Sequence, residues 1–201
     1  MELLSESFYS RPDVLTVARE LLGKIIVTEF SGVLTSARIV ETEAYNGVVD
    51  KASHAFGGKN TKRTAVMFGK PGYAYVYLCY GIHHLFNIVT NLEGTPHAVL
   101  IRAAEPIQGI ETMLQRTGKF KADFTITRGP GNLAKALGIT TAHTGSNLFQ
   151  PPIWLIDDKT IILPANIMAT KRIGVEYAAE DAMLPYRFFM KGNRYVSGNK
   201  G

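Results

Sequence analysis

The chain has 201 residues, 46% hydrophobic and 19% charged, which is enough apolar side chain for one substantial core and predicts a single domain over residues 1–201. A formal charge of +5 suits a polyanionic partner without demanding one, and a lone cysteine, Cys79, excludes an internal disulfide or a four-cysteine metal centre and fits a reducing compartment. The amino-terminal residues show no basic segment leading into an unbroken apolar run, and no stretch reaches roughly 20 apolar residues, so neither a signal peptide nor membrane contact is expected and the cytoplasm is the expected location.

Residues 10–23 open with Ser10, Pro12 and Asp13 and continue with Val14, Leu15, Val17, Ala18, Leu21 and Leu22 at helical spacing, which predicts a capped amphipathic helix. Two strand-like runs, 24–30 and 33–45, flank Ser31-Gly32 and predict a hairpin with a two-residue turn. Alternate side chains of a strand share a face, so Ile39, Glu41, Glu43 and Tyr45 are expected on one side, with Arg38, Val40, Thr42 and Ala44 on the other. Residues 46–72 carry glycines, prolines, lysines, arginines and His54 with little periodicity, and predict a long basic loop of the kind that often carries function.

An aromatic strand over 73–80 places Tyr73, Tyr75 and Tyr77 on one face and Tyr80 on the other, before a bend at Gly81. A second strand follows over 82–90, then an apolar run interrupted by Arg102. Helices are predicted over 108–116 and over 127–139, the latter after Gly129-Pro130-Gly131, whose amides with Arg128 and Lys135 could meet a phosphate or form a plain connector. Short strands are predicted at 153–156, 160–163 and 186–189, with a basic turn at Lys171-Arg172. Strands outnumber helices in mixed order, which predicts an α+β fold with a curved antiparallel sheet flanked by helices.

For chemistry, His83 and His84 are neighbours on one strand and point apart, while His54, His97 and His143 show no ligand spacing, so no metal site is expected. Walker, GxGxxG and GxSxG patterns are absent, and no cofactor is expected. Glu41 and Glu43 taken singly fit solvated strand glutamates, and Tyr45, Tyr75 and Tyr77 fit core aromatics. Their conjunction with a basic loop and an arginine between Ile101 and Ala103 points instead to a place where something flat is held and attacked, with one glutamate at the pocket and the other on a structural partner.

The segments RIVETEAYNGVVDKASHAFGG, MFGKPGYAYVYLCYGIHHLFNIVT and VLIRAAEPIQG, with RGPGNLAKALGI, KRIGV and YRFFMKG, resemble the signature blocks of the alkyladenine (3-methyladenine, methylpurine) DNA glycosylases, and the resemblance covers residues 10–197. It implies a monofunctional base-excision enzyme that flips a damaged purine out of duplex DNA and hydrolyses its glycosidic bond, leaving an abasic site. The substrates implied are 3-methyladenine, 7-methylguanine, hypoxanthine and ethenoadenine in double-stranded DNA, handled by a monomer of compact, bacterial type, associated with the nucleoid.

By the same resemblance, Glu43 activates the water, and Arg102 with the Ile173 carbonyl holds it. Tyr45, His54 and Tyr77 stack on the flipped base, and Asn87 collides with the 2-amino group of guanine. Tyr80 plugs the duplex, flanked by Ile82 and His83. Lys59, Lys62, Arg63 and Lys135 are assigned to phosphates by charge and position. Phe56, His83 and Glu176 depart from the family pattern, which often has a basic residue, a tyrosine and a glycine there. Three other readings stand beside this one: a passive nucleic-acid binder, a helix-hairpin-helix glycosylase suggested by the GPG triplet, and a two-carboxylate hydrolase of small molecules.

Overall fold

The computed structural model describes residues 1–198; residues 199–201 of the expected domain lie outside the described residues. The elements in chain order are β1 (Glu2–Leu3), α1 (Glu6–Tyr9), α2 (Val14–Glu20), β2 (Ile25–Phe30), β3 (Val33–Tyr45), β4 (Ala74–Cys79), β5 (His83–Thr90), β6 (His97–Gln108), α3 (Ile110–Thr117), α4 (Pro130–Leu137), β7 (Phe149–Gln150), β8 (Ile153–Asp157), β9 (Ile167–Thr170) and β10 (Arg187–Met190). Every strand pairing is antiparallel, in the order β1-β8-β2-β3-β6-β5-β4, with β7 on β8, and with β10 on β3 and β9 on β10. This is the mixed α+β arrangement that the order of elements predicts. Among the described residues no helix is long and apolar enough to cross a membrane.

The 13-residue strand β3 is the spine. Along one edge it pairs with β6; along the other it pairs first with β2 and then, at Glu41–Glu43, with β10. The β2–β3 connection is the expected two-residue turn: Ser31 (φ 53°) and Gly32 (φ 75°) both take left-handed backbone, the geometry that matches strand twist. Bulges interrupt the β3–β6 ladder between Ile39 and Thr42. They correct the expected alternation, because an extra residue in a strand turns two successive side chains to one face. Ile39 therefore faces the main core, while Val40 sits with Ala103, Phe189 and Val196 on the face of Glu41.

The main core lies between that sheet face and the helices, with Val17, Ala18 and Leu21 from one side and Leu133, Ala134 and Leu137 from the other against Ile39, Ala44, Phe86, Ile88, Val99 and Ile101. The first predicted helix is shorter than expected, since Asp13 caps it by accepting from the Leu15 amide at 2.9 Å and leaves 10–12 outside. The helix predicted over 127–139 covers only Pro130–Leu137, stopped by Gly138 at φ 74°. No strand forms at 160–163: β8 pairs with β2, β1 and β7, and the strand between β8 and β10 is β9.

The opposite sheet face is covered by the long loop, which folds into three single 3-10 turns at Gly47–Val49, Phe56–Gly58 and Ala65–Phe68. Ala55 and Met67 from it pack on Tyr75, Val89 and Ala98, and Ala52 packs on Val175 and Ala178. Between these two small clusters the sheet is left open.

Candidate active site

The opening is a cavity of about 180 Å³ lined by Tyr45, His54, Tyr75, Tyr77, Asn87 and Arg102, with Ile173 and Tyr177 on the far wall and Tyr80 at the mouth. Four strands and three segments between strands supply it. Tyr77 and His54 meet edge to face, ring centroids 4.6 Å apart, and the Tyr75 hydroxyl and His54 Nδ1 share a hydrogen bond of 2.7 Å. The slot is thus walled by rings and suited to one flat ring system. Tyr73, expected on the same face, instead bridges Asn147 and is not among the lining residues.

Glu43 is fully buried immediately behind this lining. Its Oε2 accepts from the Tyr45 hydroxyl at 2.8 Å, and its Oε1 accepts from the Ile173 amide at 2.8 Å and faces Arg102 Nη1 at 3.2 Å. The amide of Ile173 thus holds the carboxylate in place. Glu41, on the same face, takes the structural role expected of one of the pair: it accepts from Arg102 Nε (3.1 Å), Arg187 Nε (2.7 Å), the Ser197 hydroxyl (3.0 Å) and the Ser197 amide (2.6 Å). Arg102 therefore spans the two carboxylates. Burial works against its charge, but Glu43 and Glu41 outweigh that and raise its pKa.

A second buried pair anchors the far wall. Arg172 donates to both oxygens of Asp50 (2.5 and 2.8 Å) and to the Ala44 carbonyl (2.9 Å), and its guanidinium lies 4.9 Å from the centre of the Tyr45 ring. One residue later comes the Ile173 amide, so this ion pair places both Tyr45 and that donor.

Burial favours the neutral forms of His54, Tyr45, Tyr75 and Tyr77 in the slot. Burial, helped by Arg63 and Lys59, pushes His54 down to about 4, and burial pushes Tyr75 up to about 12. Tyr77 is raised by burial and Tyr45 by burial and Glu43. Asn87 donates from its amide nitrogen to the carbonyls of Tyr75 (3.1 Å) and Leu85 (3.2 Å), which fixes the group and leaves only its oxygen uncommitted.

At the mouth, the turn joining β4 to β5 carries Tyr80, 90% exposed, and Ile82, 70% exposed, with His83 exposed beside them. Tyr80 (φ 51°) and Gly81 (φ 73°) both have left-handed backbone, closed by the Ile82 amide on the Cys79 carbonyl at 3.2 Å. Lys59, Lys62 and Arg63 are exposed on the loop next to His54, whereas Lys135 is exposed on α4, across the hairpin from them. Among the described residues no three His, Cys, Asp or Glu side chains group as a metal site requires.

Tyr177, Arg187, Ser197 and the Asp50–Arg172 pair are site residues that sequence reasoning did not single out. Arg187 carries the same signal as Arg102, an arginine inside an apolar strand, and was open to the same inference; Tyr177 and Ser197 lie in segments without periodicity.

Residues 7–194 match the family model described as methylpurine-DNA glycosylase. The chain belongs to the methylpurine-DNA glycosylase family. Relatives include a protein of Desulfitobacterium hafniense (strain Y51), 46% identical over 98% of this chain and 99% of its own length, and one of Bacillus cereus (strain AH820), 45% identical over 95% and 97%. A third, from Chlamydia pneumoniae, is 44% identical over 94% and 95%. All three carry the provisional name 3-methyladenine DNA glycosylase. The methylpurine-DNA glycosylase match takes in every lining residue named above.

Proposed function

We propose that the protein is a monofunctional DNA glycosylase that everts an alkylated or deaminated purine (3-methyladenine, 7-methylguanine, hypoxanthine or ethenoadenine) from double-stranded DNA into the aromatic slot and hydrolyses its N-glycosidic bond. The observation that carries this reading is the position of Glu43 behind the wall of the slot with one acceptor site to spare. A carboxylate has about four lone-pair sites, and the Ile173 amide, Arg102 and the Tyr45 hydroxyl occupy three of them. The fourth, on Oε2, serves a water. That water attacks the sugar C1′ as the bond to the base nitrogen breaks; its proton passes to Glu43, and the bonding pair leaves with the base. Arg102 and the Ile173 carbonyl hold the water in line.

The electron-rich rings of Tyr45, His54 and Tyr77 stack on the everted purine, and an electron-poor alkylated base gains most from them. A neutral His54 adds no repulsion against a cationic lesion. The fixed Asn87 amide crowds a 2-amino group at that position, which selects against undamaged guanine and makes 7-methylguanine, which keeps that group, the poorest fit of the four bases. Tyr80 fills the gap in the duplex, with Ile82 and His83 at its sides, and Lys59, Lys62, Arg63 and Lys135 meet phosphates. Among the described residues no lysine lines the slot, which favours simple hydrolysis over a Schiff base, with a free base and an abasic site as the products.

Glu43→Gln tests the reading on oligonucleotides carrying single defined lesions. Loss of a general base typically lowers the rate by about 10²–10⁴-fold, so base release scored as alkali-labile cuts falls by that order while binding to an abasic-site analogue persists. Undiminished cutting by the variant would falsify the assignment of Glu43.

A further inference from the structure

On the side of the hairpin away from Lys59 and Arg63, a cleft of about 400 Å³ separates Ile82 and the His83–His84 end of β5 from α3 and α4. Arg116 and Lys135 line it together with His83 and His84, and among the described residues no carboxylate lines it. Arg116 donates to the Ala136 carbonyl (3.2 Å) and the Thr35 hydroxyl (3.3 Å), and among the described residues no carboxylate pairs with it. Among the described residues Lys135 reaches only the Thr117 carbonyl, at 3.4 Å. The Thr141 amide donates to His84 Nδ1 at 3.2 Å, so the other ring nitrogen of His84 is a donor.

The cleft is also built to sit close to the hairpin. A Cβ at Gly131 would fall 2.8 Å from His83 Nδ1, so a glycine at the start of α4 is what lets the helix come up against the hairpin that carries Tyr80 and Ile82. Two unpaired cations and donor nitrogens thereby converge next to the group that enters the duplex, on the flank the basic loop does not cover.

We infer that this cleft is a second phosphodiester-binding site, which grips the DNA backbone on the flank of the lesion opposite the basic loop and so holds the duplex on both sides of Tyr80. The inference rests on the glycosylase reading above. It makes Arg116, which nothing in the sequence distinguished, a DNA contact equal in kind to Lys135. Backbone grip of this sort is read by salt, since each neutralised phosphate contributes about 0.9 to the slope of log K against log salt concentration.

The experiment measures binding of a duplex bearing an abasic-site analogue from about 50 to 200 mM salt, the range over which phosphate contacts are lost. Wild type is compared with Lys135→Gln, with the double variant Arg116→Gln/Lys135→Gln, and with Lys159→Gln as a distant control. The expected slopes are shallower by about 1 and about 2 for the first two variants, and unchanged for the control. Lys135 is exposed, so its variant keeps the test meaningful if loss of the Arg116 bonds to Ala136 and Thr35 loosens α3 on α4. Wild-type slopes in both cleft variants, or an equal decrease in the Lys159 variant, overturn the cleft alone; failure of the wild type to bind the duplex overturns the glycosylase reading with it.

Discussion

The floor of the slot and the hairpin at its mouth are built on opposite principles. On the floor, Glu41, Glu43, Arg102 and Arg187 are buried and interlocked, each carboxylate met by several donors. At the mouth, Tyr80 is almost wholly exposed and held in backbone that costs a non-glycine residue about 1–2 kcal/mol. Chemistry needs a carboxylate that does not move, and a buried charge network tolerates no loose member. Under the proposed function, in which Tyr80 leaves water for the interior of a duplex, that side chain needs the reverse: freedom from its own protein and a backbone that presents it outward.

The widest separation of the two regions is expected at Glu41. Glu41→Gln leaves Arg102 and Arg187 without their shared charge, and removing one partner of a buried ion pair typically costs about 3–5 kcal/mol. Urea denaturation should show a loss of that order, with base release impaired as well because Arg102 loses its support. Removal of Lys159, whose partner Glu2 is equally exposed, should change stability by no more than about 1 kcal/mol. A Glu41→Gln protein as stable as wild type would mean that the floor is not held by the network.

Tyr80→Gly probes the mouth. Glycine accepts φ 51° without strain but frees the unfolded chain, and the two effects are each about 1 kcal/mol and opposed. The unfolding midpoint should therefore hardly move. Stacking of an aromatic side chain on bases is worth about 1–3 kcal/mol, so affinity for a damaged duplex should fall roughly 5- to 150-fold. A midpoint that drops while affinity holds would make Tyr80 a structural residue and erase the contrast.

These differences also decide what the sequence made legible. Glu43 could be placed beside Tyr45, and Tyr75 beside Tyr77, because strand alternation is a local rule, whereas that the two strands face one slot came from the family resemblance; Tyr80 stood out because it breaks parity before a glycine. Ile39 and Val40 were assigned to the wrong faces because the bulge that exchanges them depends on how β3 and β6 pair, which no single strand records. Arg187 and Ser197 contact Glu41 from 146 and 156 residues away, and the Asp50–Arg172 pair spans 122. Long-range charge pairing leaves no local trace beyond an arginine among apolar neighbours.

His54 provides the smallest and most discriminating effect, because it sits in the loop wall yet belongs by its chemistry to the floor. Burial, then Arg63 and Lys59, lower its pKa from 6.5 to about 4 in the folded protein. Between those values the unfolded chain carries the proton and the folded one does not, so stability rises with pH across this window and is lost as pH falls from 6.5 toward 4. Above pH 6.5 neither state is protonated and His54 contributes no pH dependence. His54→Gln cannot titrate, so its unfolding free energy should lack this part of the slope, and the difference between the two proteins should widen steadily from pH 6.5 down to about 4 and then level off. Parallel curves for the two proteins through that interval would mean that the ring is wet and charged in acid, in which case the loop wall belongs with the mouth and a cationic lesion would in acid meet a second cation beside Arg102.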